Sequence, residues 1–172
     1  MTLHELNTLP KDQLKEALFK CCGSVNWVEK MLPFFPADDL IELLEDAEEQ
    51  WWKCTEADWL EAFTHHPKIG DIESLRKKFA STAAWAEGEQ IGAADAPQQI
   101  LEKLAQGNEA YEKKFGFIFI VCATGKTAGQ MLDLLNERLP NSREVELEIA
   151  ADEQSKITKL RLEKILDITW DN

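Results

Sequence analysis

The sequence predicts an all-α protein, a single-domain bundle of about eight or nine helices with one short buried extended segment near residues 115–123. Three observations carry this. Apolar residues recur at three- and four-residue spacing along most of the chain, and stop signals such as Gly23, Pro67, Gly92 and Pro140 cut that pattern into helix-length pieces. Only the stretch from Phe115 to Val121 becomes a nearly continuous run of aromatic and β-branched residues. No Pro/Gly/Ser linker divides the 172 residues and no repeat of roughly 20 to 50 residues is evident, so 1–172 reads as one domain.

Pro10 suits a first helical turn, and Leu14, Ala17, Leu18 and Cys21 share a face until Gly23, which predicts a helix over about 10–22. Ser24 is placed to cap a short helix carrying Trp27, Val28, Met31 and Leu32, ended by Pro33-Phe34-Phe35-Pro36. Asp38 is read as the cap of the next segment, whose Leu40, Leu43, Leu44, Ala47 and Trp51 form one stripe. Thr55 with Asp58 three residues on resembles a capping box, and Trp59, Leu60, Ala62 and Phe63 follow before Pro67 forces an exit. Short helices are expected near 72–79 and 82–91. Pro97 opens a longer one through Ile100, Leu101, Leu104 and Ala105 that continues past Gly107 to about residue 114, at roughly 1 kcal/mol for an interior glycine. Thr127 starts a helix with Met131, Leu132, Leu135 and Leu139, closed by Pro140. Asn141 with Glu144 begins the last, which runs to about residue 168 through Val145, Ile149, Ile157, Leu160 and Ile165.

Composition excludes several function classes. With 32 acidic and 19 basic residues the net charge is -13, a field that repels nucleic acid and anionic membrane. No run approaches the roughly 20 apolar residues of a bilayer span, the N-terminus lacks a signal-peptide pattern, and Trp170-Asp171-Asn172 is not a peroxisomal address. The expected compartment is the cytoplasm. Cys21, Cys22, Cys54 and Cys122 have no CxxC spacing and read as reduced thiols. His4, His65 and His66 lack metal-ligand spacing, so no metal site is expected. Gly125-Lys126-Thr127 lacks the earlier glycine of a phosphate loop and reads as a turn and helix cap.

Three residues stand out for chemistry. His65-His66-Pro67 lies where a helix must stop, so a rigid proline can hold an imidazole at a loop mouth, in the pKa range of a general acid or base. A helix-end histidine favoured by the C-terminal dipole is the plainer reading. Glu89 is four residues from Trp85, and a carboxylate beside an indole is partly desolvated, although plain surface charge explains it as well. Arg161 falls four residues from both Ile157 and Ile165, inside the apolar stripe of the last helix. A guanidinium directed at a core needs an anion, either a protein carboxylate or a carboxylate of a substrate.

Several motifs occur together: His66-Pro67-Lys68-Ile69-Gly70, Trp85 followed by Glu89-Gln90, Tyr111 with Lys114-Phe115-Gly116-Phe117-Ile118-Phe119-Ile120-Val121-Cys122-Ala123, and Ile157-Thr158-Lys159-Leu160-Arg161-Leu162. In that order and spacing they resemble the 2-oxo-4-hydroxy-4-carboxy-5-ureidoimidazoline (OHCU) decarboxylase family over nearly the whole chain. The resemblance implies a helical homodimer that forms (S)-allantoin after urate oxidase and a ring-opening hydrolase, with no cofactor and with OHCU as its small-molecule partner. It implies that His66 is the catalytic proton donor, oriented and tuned by Glu89. It further implies that Pro67 shapes the pocket, Gln90 bonds the ureido or ring amides, Arg161 holds a substrate oxygen, and the backbone of Phe119, Ile120, Val121, Cys122 and Ala123 bonds the ring. One position departs: many relatives carry serine where this chain has Ala86. A non-enzymatic interaction module, in which six tryptophans and an acidic surface bind a basic helix, is the alternative; it requires exposed aromatics. A weaker third reading is a cofactor-free hydrolase of a cyclic ureide using the same His/Glu pair.

Overall fold

The computed structural model describes residues 1–66, 72–79 and 96–168. Among them are nine α-helices, one 3-10 turn and no β-strand. The helices are α1 (Leu3–Asn7), α2 (Lys11–Cys21), α3 (Val25–Met31), α4 (Leu40–Trp52), α5 (Glu56–Thr64), α6 (Ile72–Phe79), α7 (Ala96–Phe115), α8 (Ala128–Arg138) and α9 (Arg143–Ile165), with the 3-10 turn at Leu32–Phe34. This is the all-α class expected. The helix expected over 82–91 lies outside the described residues.

Local chemistry sets most boundaries. Ser24, Thr55 and Thr127 cap α3, α5 and α8, the last two through reciprocal capping boxes with Asp58 and Gln130. The expectation for Asp38 is corrected: its neighbour Asp39 accepts from the amides of Ile41 and Glu42 at 2.7 and 3.1 Å, and of two adjacent aspartates only the second directly precedes the first helical residue. Sequence reasoning missed α1, which Thr2 and Glu5 open with a capping box of their own. Phe115 is still helical, and Gly116 ends α7 by taking a φ of 82°, a conformation that costs glycine little. Residues 117–123 then run without helix or strand pairing, with Phe117 and Ile120 buried and the others half-buried.

The chain divides into two compact units, Met1–His66 with Ala151–Asn172, and Pro67–Ala150. In the first, α3 packs against α2, α4 and α5 around Leu18, Trp27, Met31, Leu43, Trp51 and Phe63. The indoles of Trp27 and Trp51 donate to the carbonyls of Ala47 and Ala151 at 2.9 and 2.8 Å, so neither buried N–H is left unmet. In the second, α7 packs on α6 and α8 over Leu101, Leu104, Tyr111, Met131 and Leu135. Gly107 faces Leu135, so the interior glycine of α7 is also where α8 comes close. Two of the six tryptophans, Trp27 and Trp51, are thus core residues and offer the interaction-module reading no surface, whereas Trp59 is half-buried and Trp52 is 41% exposed.

Helix α9 departs most from expectation. Its buried face carries Glu146, Leu147, Ala150, Ala151, Gln154, Ser155, Thr158 and Leu162, while Val145 and Leu160 of the expected stripe are exposed. The helix starts one residue later than Asn141 implies, with the Ser142 hydroxyl accepting from the Val145 amide at 3.4 Å. It ends at Ile165, where Asp167 (φ 50°) takes the left-handed position and Ile168 bonds back to the Glu163 carbonyl at 3.0 Å.

Candidate active site

The two adjacent histidines do different things. The amide of His65 closes α5 onto the carbonyls of Ala62 and Phe63, and its ring packs edge-on against Phe19 with centroids 4.9 Å apart. A Cβ on Gly23 would come within 2.6 Å of His65 Cβ, so the α2–α3 turn passes so close that residue 23 must be glycine. His65 is therefore the histidine that ends α5, exposed and with its ring against Phe19.

His66 follows, with its amide on the Phe63 carbonyl at 3.3 Å and its imidazole half-buried. Its Nε2 makes a short hydrogen bond with Oε1 of Gln154 on α9. Gln154 is fully buried and its amide nitrogen donates to Thr158 Oγ1 at 3.1 Å, while the Thr158 hydroxyl donates to the Gln154 main-chain carbonyl at 3.0 Å. Beneath them lies Cys22, whose thiol is pushed up to about 12 by burial, partly offset by a hydrogen bond with Thr158. The thiol stays protonated at neutral pH.

Arg161 lies seven residues after Gln154, two turns along α9 and on nearly the same face. It is half-buried, and Nη1 donates to the carbonyls of Lys20 and Cys21 at 3.5 and 3.3 Å. These are C-terminal carbonyls of α2, which lack intrahelical donors and attract a cation. Among the described residues no carboxylate pairs with Arg161, and its acceptors are these two carbonyls. Burial pushes the neighbouring Cys21 thiol to about 12, with the guanidinium pulling the other way.

In the second unit the segment after α7 is held from behind. Arg138 Nη1 donates to the Ile120 carbonyl at 2.7 Å, and the guanidinium lies 4.6 Å from the Phe119 ring centre. Arg138 is charge-paired with Glu146, wholly buried, which also accepts from Tyr111 at 2.5 Å and from Asn141 at 3.0 Å. Burial, with the Glu146 hydrogen bond next, raises the Tyr111 phenol well above its usual range. Lys126 completes the loop, its Nζ on the Cys122 carbonyl at 2.8 Å and its amide on the Ala123 carbonyl at 3.0 Å. The carbonyls of Ile120, Cys122 and Ala123 are thus engaged within the protein.

Pro67, Ala86, Glu89 and Gln90 lie outside the described residues. Sequence reasoning missed Gln154, Thr158 and the Arg138–Glu146 pair. For Arg138 a signal existed: it follows Met131 and Leu135 at the spacing of a buried face, the argument applied to Arg161. Among the described residues no cluster of three or more His, Cys, Asp or Glu side chains could hold a metal, and no helix is long and apolar enough to cross a membrane.

Within the first unit a histidine is set against a buried amide, with an arginine two turns along the same helix, groups whose chemistry suits holding a proton and an anion. Residues 7–163 match the OHCU decarboxylase family, and the chain belongs to it. It is 41% identical over 148 residues to the uric acid degradation bifunctional protein TTL of Arabidopsis thaliana, covering 84% of this chain and 45% of that protein. It is 25% identical over 169 residues to 2-oxo-4-hydroxy-4-carboxy-5-ureidoimidazoline decarboxylase of Halalkalicoccus jeotgali, covering 96% of this chain and 92% of that one. A crystal structure of an OHCU decarboxylase in the presence of (S)-allantoin superposes with a TM-score of 0.68 at 39% identity, over 87% of this chain and 96% of that one. The chain spans less than half of the plant relative.

Proposed function

We propose that this chain decarboxylates 2-oxo-4-hydroxy-4-carboxy-5-ureidoimidazoline to (S)-allantoin and carbon dioxide, with His66 as acid/base and proton donor assisted by Glu89. The observation that carries the reading is the family match, which runs through every segment holding a proposed site residue. In this reading Pro67 and Ala86 line the pocket and Gln90 bonds the ureido or ring amides. The backbone of Phe119 to Ala123 bonds the ring, and Arg161 holds an anionic oxygen. The chain acts as one domain over 1–172, as a homodimer in the cytoplasm; the homodimer follows from the family resemblance and the compartment from the sequence.

The chemistry asks little of the protein. As the carboxylate leaves as carbon dioxide, the electron pair of the broken C–C bond delocalises into the adjoining unsaturated ring, the role an organic electron sink would otherwise fill. One proton, drawn from solvent through His66, then goes to carbon on one face and fixes the (S) configuration. The three engaged carbonyls in the loop leave ring recognition there chiefly to its amides.

The test is circular dichroism during urate oxidation by urate oxidase and the ring-opening hydrolase. Catalytic amounts of this protein are expected to give rapid growth of the (S)-allantoin signal. An unchanged slow path to racemic product, with the protein folded, removes the reading. His66→Asn is expected to lose both rate and optical purity; optically pure product at the wild-type rate would strip His66 of its role.

A further inference from the structure

We propose that Gln154 is a positioning residue that fixes the tautomer of His66, holding the proton on Nε2. The inference rests on the proposed role of His66. It follows from a count of protons. Thr158 has a single hydroxyl proton, which goes to the main-chain carbonyl of Gln154 at 3.0 Å, so its Oγ1 has only lone pairs to offer the Gln154 side chain. The end of the Gln154 amide that meets Thr158, at 3.1 Å, must therefore be the nitrogen. The oxygen is then the end that meets His66, and an amide oxygen only accepts. Nε2 must be the donor, and in the neutral imidazole Nδ1 carries the lone pair.

Burial makes this arrangement decisive. Gln154 is 0% exposed and Thr158 3%, so reversing the amide would set a nitrogen donor against Nε2–H and an amide oxygen against a hydroxyl whose proton is already committed. An isolated imidazole exchanges its two neutral tautomers freely. One hydrogen bond of net value about 1.4 kcal/mol biases them roughly tenfold, and a bond made against a buried group biases them further.

The experiment is nitrogen NMR of the full chain with 15N-labelled histidine, above the midpoint of the His66 titration, with His66 assigned by loss of its signals in His66→Asn. The expected wild-type spectrum has Nε2 in the protonated, pyrrole-like position and Nδ1 in the unprotonated, pyridine-like position. Nε2 in the pyridine-like position overturns the proposal outright. Gln154→Leu is expected to give a tautomer mixture and to lower kcat by roughly tenfold with little change in KM. Gln154→Glu, whose carboxylate still accepts from Nε2–H, is expected to keep the wild-type tautomer. A folded Gln154→Leu variant with a wild-type His66 spectrum shows that Gln154 does not set the tautomer. Should that variant not fold, Thr158→Val, which frees the amide to turn over, is expected to give the same mixture, and an unmixed spectrum there has the same meaning. Activity surviving in His66→Asn would remove the catalytic role of His66 while leaving the tautomer result standing, so the two failures are distinct.

Discussion

The buried Arg138–Glu146 pair is the largest single electrostatic commitment described. Taking both charges out of water is costly, and what compensates is the set of bonds around them: the Tyr111 phenol and the Asn141 amide on the carboxylate, the Ile120 carbonyl on the guanidinium. Removing the negative partner leaves a cation buried without compensation. Glu146→Gln is therefore expected to destabilise the protein by about 3–5 kcal/mol in urea unfolding. A loss under about 1 kcal/mol would mean that water reaches the pair. The contrast with Arg161 explains what the sequence conceals at this scale. Both arginines sit at helix positions that imply an inward-facing guanidinium, but spacing cannot say which acceptor waits. For one it is a carboxylate eight residues on, for the other two carbonyls 140 and 141 residues back in sequence.

Helix ends were the most legible elements, because a cap is a local bond between a side chain and an amide two or three residues away. The α5 capping box is the clearest: Asp58 accepts from the Thr55 amide and hydroxyl, both at 2.8 Å, and also from Asn26 at 2.8 Å. Burial alone would raise the Asp58 carboxyl, but these bonds together outweigh it and hold it below 3.8. A carboxyl lowered on folding contributes stability above that ordinary value and loses it as pH falls through the lowered one. Asp58→Ala is thus expected to cost about 1 kcal/mol at pH 7, with the difference from wild type shrinking in acid. A difference that stays constant across denaturant melts from neutral to acid pH would count against the carboxylate as the capping group. Helix α9 was the least legible element. Its inner face is built from Ala, Gln, Ser and Thr as much as from Leu, so the apolar residues that draw the eye, Val145 and Leu160, mark its outer side. For the same reason Gln154 escaped notice: a glutamine signals burial only once its partners are known.

Across the molecule the net charge of -13 works against compactness, because like charges spread over one small surface repel. Exposed pairs among the described residues, such as Lys15 with Glu29 and Lys156 with Asp152 and Glu153, offset it in part, each with small net value. Raising sodium chloride from about 10 to about 150 mM shortens the screening length from about 30 to 8 Å and should raise the melting temperature by a few degrees. A flat or falling melting temperature in calorimetry would show that attractive pairs dominate the surface. The fold class was legible at this scale, since helical periodicity is written over the whole chain. The division into two units was not, because one of its two boundaries falls inside α9 and the other at the single step from His66 to Pro67, and neither is marked by a linker.

That division also orders events in time. The first unit is made from both ends of the sequence, and its closing bonds join residues 88, 100 and 111 positions apart: His66 to Gln154, Trp51 to Ala151, Glu48 to Lys159. On a ribosome adding about 5–20 residues per second, the helices around His66 emerge seconds before the strand of chain that completes them. Throughout that interval the imidazole lacks Gln154, and the nascent protein carries its proposed proton donor unassembled until the second half of α9 has been made.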